Sequence, residues 1–324
     1  MNMAREIAPV LTRGRKLALL VTALVYLGGA AAVYWFIDDD AVSRARSLPI
    51  LVIGALLALS MVNYAVRTWR WLVLSDFLGL QIPVRNNAIY YLSGYALTAT
   101  PGKAGEAVRL WLLRSGHGVP YARSVPIMIA DRVIDTWAIL LLVLGCMGGF
   151  AAYRWQGVLL ACIVLVVSIP IVFPASLNPF IALAYRLAPG RARLVVRGRQ
   201  LVRAMRSLLS LRTYGLTLLP TVVGWLAEGA ALYLILQHFE ANVSLPNAVF
   251  VFTFSMLVGA ISMIPGGLGS TEATMVLLLS ALGVPLDQAL AATAIIRITT
   301  FWFAVVIGLL CTPSAMSLAR RAAA

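Results

Sequence analysis

The sequence predicts an all-α polytopic membrane protein, with six full transmembrane helices and two re-entrant helical hairpins arranged as an inverted repeat. Three observations predict this. Hydrophobic residues fill 61% of the 324 positions and charged residues only 12%, far too apolar a balance for a soluble globular chain. Two apolar stretches are interrupted by helix breakers followed by a carboxylate, at Pro101-Gly102-Lys103-Ala104-Gly105-Glu106 and at Pro265-Gly266-Gly267-Leu268-Gly269-Ser270-Thr271-Glu272. Backbone released by Pro and Gly has no partner in hydrocarbon, so such breaks belong where protein or a water-filled cavity surrounds them. Finally, the residues around the first break recur in order around the second.

Taken from the N-terminus, Arg5, Arg13, Arg15 and Lys16 precede the apolar run Leu17 to Ile37, which is long enough to remain as a span. Positive charge holds the N-terminus in the cytoplasm, and Asp38, Asp39 and Asp40 emerge outside. Leu48 to Val66 returns inward. Arg67-Thr68-Trp69-Arg70-Trp71 then reads as an interfacial group, and the pattern on to Gln81 as an amphipathic stretch along the cytoplasmic face.

Asn87 to Thr100 and Gly105 to Ser115 are apolar but short. At about 1.5 Å per residue neither crosses a core of about 30 Å, so together they read as a hairpin entering from the cytoplasm. Val125 to Phe150 crosses outward and Gly157 to Phe173 crosses back. A basic loop over residues 178–212 follows, with eight arginines and no acid between Arg186 and Arg212. Arg199, Arg203 and Arg206 recur there at helical spacing, which fits either a surface helix on anionic lipid headgroups or a solvated loop. Tyr214 to Leu236 crosses outward carrying Glu228. Asn247 to Leu282 forms the second hairpin, entering from outside, and Ala289 to Cys311 returns to a cytoplasmic C-terminus near Arg320 and Arg321.

The net charge of +14 is accounted for by this loop topology rather than by nucleic acid. Cys146, Cys162 and Cys311 lie within or at the ends of apolar runs, as small buried hydrophobes do. The two histidines, His117 and His238, form no zinc spacing, and no phosphate loop or nucleophile elbow occurs, so no metal or cofactor is expected.

The repeat is read by sliding the chain on itself. Asn87-Ala88 pairs with Asn247-Ala248 at an offset of 160, and Pro101-Gly102 and Gly105 with Pro265-Gly266 and Gly269 at 164. At 165 the matches continue through Leu112-Leu113 with Leu277-Leu278, Ser115 with Ser280, Gly118-Val119-Pro120 with Gly283-Val284-Pro285, Arg132 with Arg297, Trp137 with Trp302 and Cys146 with Cys311. The units are approximately residues 85–150 and 245–312 of a single domain spanning residues 1–324. Charge places their hairpins in opposite leaflets. Inverted repeats with broken helices are a transporter architecture, with substrate near the midplane where half-helix ends converge. A helix N-terminus after each break suits an anionic group such as phosphate.

The charged residues within the apolar segments are the candidate substrate site: Lys103, Glu106, Arg109, Asp131, Arg132, Asp135, Glu228, Glu272 and Arg297. Each would be costly alone in lipid, so each must pair or face water. Asp131, Asp135 and Glu228 fit structural salt bridges as well as a site. Arg132 and Arg297, equivalent under the repeat, favour substrate contact, because a guanidinium suits bidentate phosphate recognition. Glu106 and Glu272 could hold a cationic headgroup, relay protons or, most plainly, cap their own helices. Lys103 has Gly267 as its counterpart, so the site is asymmetric. Trp69, Trp71, Tyr90, Tyr91, Tyr95 and Trp111 read as packing or interfacial groups.

At Pro-Gly-Lys-Ala-Gly-Glu-Ala-x-Arg, Asp131-Arg132-x-x-Asp135 and Ile-Pro-Gly-Gly-Leu-Gly-x-x-Glu the chain resembles the transmembrane domain of lysylphosphatidylglycerol synthases, the flippase part of the bacterial multiple peptide resistance factor, over roughly residues 15 to 312. The resemblance implies a lipid flippase or lipid-handling transporter of the bacterial inner membrane, with Arg132, Arg297, Glu106 and Glu272 lining a headgroup cavity. The chain ends at Ala324 without room for a soluble aminoacyl-transferase domain, so lipid aminoacylation is not expected. Without an ATP motif, movement would be passive or driven by an ion gradient through carboxylates such as Asp131, Asp135 or Glu272. A phosphate-bearing lipid headgroup is the expected partner, with anionic lipids at the basic loop and either a second copy or a lipid-synthesis enzyme alongside. The rival readings are a membrane-embedded enzyme acting on a polyprenyl phosphate or phospholipid, and a non-catalytic partner of a lipid-modifying enzyme.

Overall fold

A computed structural model describes residues 47–98, 100, 104–148, 210–262 and 264–323, together with positions 43, 158, 162, 204, 205 and 208. The expected spans at Leu17 to Ile37 and Gly157 to Phe173, most of the basic loop, and Pro101, Gly102 and Lys103 lie outside the described residues. Those residues form eight helices and no strand. In chain order they are α1 (Ile50–Phe77), α2 (Val84–Ser93), α3 (Ala104–His117), α4 (Tyr121–Cys146), α5 (Leu211–His238), α6 (Leu245–Ile261), α7 (Ser270–Ala281) and α8 (Leu286–Ala323).

By length and apolarity α1, α5 and α8 are each able to cross a membrane. Their faces are sorted as lipid requires, with polar groups turned inward. On α5 the buried polar residues Thr213, Thr217, Thr221 and Glu228 share one stripe, while Leu216, Leu219, Val223 and Leu226 are exposed. On α1 the buried stripe runs through Ser60, Asn63, Tyr64, Arg70, Trp71 and Ser75, and Ile50 and Leu51 are exposed. A hydroxyl on such a stripe can bond the carbonyl one turn back, which removes its cost without a partner helix. Ser60, Ser75, Thr217 and Thr221 all do so.

Helix α1 is longer than the hydrophobic run predicted. Arg67, Arg70 and Trp71 continue it instead of lying at a surface, and Arg70 is fully buried. The reason is chemical: acids on α4 face this turn, so the guanidinium groups are drawn inward. Likewise α8 does not stop at Cys311 but continues through Pro313 to Ala323. A π-helical turn, Ile298–Trp302, interrupts it directly after Arg297. The hydroxyl of Tyr64 donates to the Thr300 carbonyl within that turn.

Both predicted breaks separate two short helices. The first joins α2, through a 3-10 turn at Gly94–Leu97, to α3. The second joins α6 to α7 through Pro265–Gly267. Here Gly266, Gly267 and Gly269 have φ of 64°, 67° and 85°. Left-handed backbone costs other residues roughly 1–2 kcal/mol, so the three glycines permit this reversal. Gly259 and Gly267 also approach the Thr271 side chain too closely for a Cβ on either.

Helix contacts cross between the two halves of the chain. Helix α4 packs on α5 and α6, and α8 packs on α2 and α3. The longest shared interface is that of α1 with α5, which places their polar stripes together at the centre.

Candidate functional site

At that centre Asp131 and Asp135, one turn apart on α4, meet two arginines three residues apart on α1. Arg70 donates from Nε to Asp131 Oδ1 at 2.8 Å and from Nη1 to Asp135 Oδ1 at 2.8 Å and to Thr221 Oγ1 of α5 at 3.1 Å. Its Nη2 lies 2.6 Å from Asp131 Oδ1. Arg67 donates from Nη2 to Asp135 Oδ2 at 3.0 Å, and its guanidinium lies 5.6 Å from the Trp225 ring centre and 5.9 Å from that of Tyr95. Arg132 donates from Nη2 to Asp131 Oδ2 at 3.0 Å and lies 3.4 Å from Asp135. Trp225 Nε1 donates to Asp135 Oδ1 at 3.2 Å. All four carboxylate oxygens are therefore engaged, as burial of two acids demands. Three guanidinium groups thus meet two carboxylates. Access is graded: the Arg70 side chain is 0% exposed, that of Arg67 15% and that of Arg132 32%.

A second cluster closes the second break. Arg297 donates from Nε to Glu272 Oε1 at 2.5 Å and from Nη2 to the Gly266 carbonyl at 3.2 Å, and its guanidinium lies 4.4 Å from the Phe301 ring centre. Glu272 Oε2 accepts from the Gly269 amide at 2.7 Å. Glu272 is thus the cap of α7, the plainest of the three roles considered for it. It also holds Arg297 on the backbone that Pro265 and the glycines release.

Arg109 lies elsewhere. It is buried on α3 and donates from Nε to the Tyr91 carbonyl at 2.9 Å. Its guanidinium lies 3.9 Å from the Tyr91 ring centre, 5.2 Å from that of Tyr95 and 5.9 Å from that of Trp71. Trp71 in turn donates to Asn87 Oδ1 at 2.8 Å. These aromatic residues pack, as their sequence positions implied, and what they pack around is an arginine that ties α3 to α2. Gly105 and Glu106 fall in the first turn of α3, and Glu106 is its third residue, as Glu272 is of α7.

Glu228 on α5 lies within electrostatic range of both charge clusters. It is 4% exposed, and no hydrogen bond or ion pair reaches it among the described residues. Arg67, Asp135 and Arg297 lie within electrostatic range, as does Tyr64. Among the described residues no three His, Cys, Asp or Glu side chains converge as metal ligands would.

Reading from sequence left out Arg67, Arg70, Thr221 and Trp225. Two acids one turn apart inside an apolar helix require two cations at matching spacing. Arg67 and Arg70 were such a pair, but adjacent tryptophans made them resemble an interfacial belt.

Comparison with known proteins follows the same lines. The chain is 27% identical over 303 residues to a UPF0104 membrane protein of Methanothermobacter thermautotrophicus, covering 85% of this chain and 88% of that protein. It is 33% identical over 86 residues to the phosphatidylglycerol lysyltransferase of Staphylococcus haemolyticus, and 32% identical over 92 residues to that of Staphylococcus aureus. Those matches cover 26% and 28% of this chain but only 10% and 11% of the lysyltransferases. With its apolar helices, this makes the protein a multi-pass membrane protein of a lipid-related kind. The model of the lysylphosphatidylglycerol synthase TM region matches residues 17–308, and the chain belongs to that family.

Proposed function

We propose that this protein moves a phosphate-bearing lipid headgroup, anionic or zwitterionic, from one leaflet of the bacterial inner membrane to the other through a central polar cavity. The observation that carries the reading is graded access to the guanidinium groups of the α1–α4 cluster, with Arg132 and Arg67 reachable and Arg70 fully buried behind them. An arginine left reachable within an apolar helix is costly in lipid, by about 2.5–3.5 kcal/mol, unless it meets water or an anion there. A phosphodiester at that opening would meet guanidinium groups suited to bind it. The lipid named in the lysyltransferase relatives, phosphatidylglycerol, carries such a group.

The architecture proposed with it is six spans and two hairpins entering from opposite leaflets, with both termini in the cytoplasm. Arg297, held on the second break, is the counterpart of Arg132 in the other repeat. It would meet the headgroup only when Glu272 releases it, which gives the two halves of a transport cycle different tasks. Lys103 and Glu106, beside the first break, would line the same path.

The test is leaflet exchange of a fluorescent phosphatidylglycerol in proteoliposomes. Wild-type protein should accelerate exchange, and the Arg132→Ala, Arg297→Ala double variant should not. Equal rates for the two, with the variant folded, would remove the headgroup reading.

A further inference from the structure

We infer that Glu228 is a proton-binding site linked to phosphate binding, so that the anionic headgroup and one proton occupy the protein together. The inference rests on the transport reading and names its coupling group. Ion-gradient coupling was expected at Asp131, Asp135 or Glu272. Both aspartates have every carboxylate oxygen engaged by Arg67, Arg70, Arg132 or Trp225, and Glu272 holds Arg297 and the Gly269 amide. Protonating any of them would break a built contact.

Glu228 differs in every respect that matters for exchange. It is more than nine-tenths buried, no donor reaches it among the described residues, and it lies within electrostatic range of both clusters. The elements packed against α5 are α1, α4, α6 and α8. From α1 it is faced by Tyr64 and Arg67, from α4 by Asp135 and from α8 by Arg297, while α6 has no charged or titratable residue along its length. Arg67 also keeps its Nε buried without an acceptor.

Charge balance supplies the mechanism. With the site empty, the Glu228 carboxylate lies within electrostatic range of Arg67 and Arg297. With a phosphodiester at Arg132 and Arg67, a second anion arrives beside it, and a buried carboxylate without a hydrogen bond is then too costly to keep. The carboxylate then takes a proton from water at the open side and returns it when the headgroup leaves. Because linkage is reciprocal, protonation favours the headgroup to the same extent.

The experiment is calorimetric binding of short-chain phosphatidylglycerol to the purified protein in two buffers of different ionisation enthalpy. Wild-type protein should take up about one proton per lipid bound, with affinity falling roughly tenfold per unit of rising pH. In Glu228→Gln both the uptake and the pH slope should vanish. If that variant does not give monodisperse protein, Glu228→Asp decides, since moving the carboxyl shifts the pH profile only if this group takes the proton. Inorganic phosphate is the soluble comparison. Uptake with lipid alone supports a lipid ligand, and uptake with phosphate as well supports the same linkage for any phosphate monoanion or dianion. Binding without proton uptake, or uptake unchanged in the Gln variant, overturns the proton site and leaves the lipid reading standing. Absence of binding at every pH removes both.

Discussion

Arg67 and Glu228 occupy the same place in two helices of equal length. α1 and α5 each have 28 residues, and each of these side chains belongs to the eighteenth. The offset between them is 161, close to the offsets of 160 to 165 that relate the later segments. Helix α1 thus carries a base at the position where α5 carries an acid. The two lie within electrostatic range without forming an ion pair.

A double-mutant cycle should expose that relationship. Arg67→Gln and Glu228→Gln should each change the stability of the detergent-solubilised protein. Together they should depart from additivity by about 0.5–3 kcal/mol, the range for residues in one charged network. Chemical unfolding followed by tryptophan fluorescence measures it, and strict additivity would mean that the two groups do not interact.

Arg70 should be the least replaceable residue of the cluster. It has no exposure, and it bonds both aspartates and Thr221. Removing one partner of a buried charge network leaves the others uncompensated, at a cost of about 3–5 kcal/mol. Arg70→Met should therefore lower the melting temperature sharply, and Arg70→Lys should rescue it only in part, because an ammonium cannot reproduce the fork. Arg132→Met, at the accessible side, should cost much less. A melt in which the two methionine variants match would contradict the graded burial.

Arg297 and Glu272 should control the motion of the second break. Their contact is bonded at one end to the Gly269 amide and at the other to the Gly266 carbonyl. Glu272→Gln and Arg297→Gln should speed amide hydrogen exchange across residues 264–273 and leave α1 protected. Exchange that is unchanged over that segment would show that the glycines, not the ion pair, set its rigidity.

The second break and the presence of charge within α4 could be read from sequence, because Pro, Gly and ionised groups have few permitted environments in lipid. The partners could not. Periodicity shows that Arg67 and Arg70 share a face of α1, but whether that face looks at headgroups or at Asp131 and Asp135 depends on how α1 crosses α4. Hydropathy marked the start of α1 well and its C-terminal end badly, since the buried arginines there carry the signature of a membrane surface. The lack of a partner at Glu228 among the described residues was invisible for the same reason: it follows from Asp131, Asp135 and Glu272 having taken the neighbouring arginines.

Close packing between the halves yields the last prediction. Gly308 of α8 lies so near the 3-10 turn before the first break that a Cβ would sit 2.0 Å from the Ala96 nitrogen and 2.6 Å from the Tyr95 carbonyl carbon. Both neighbours are backbone, so neither can rotate away. Gly308→Ala should push α8 off the turn and strain the Tyr95 ring that lies beside Arg67 and Arg109. Overpacking of this kind costs about 1–3 kcal/mol. Gly145→Ala is the matched control, because a Cβ there meets nothing within 4 Å. It should be neutral or stabilising by up to about 1 kcal/mol through helix propensity. Melting temperatures of the two variants should therefore move in opposite directions or differ by several degrees, and lipid exchange should slow only in Gly308→Ala.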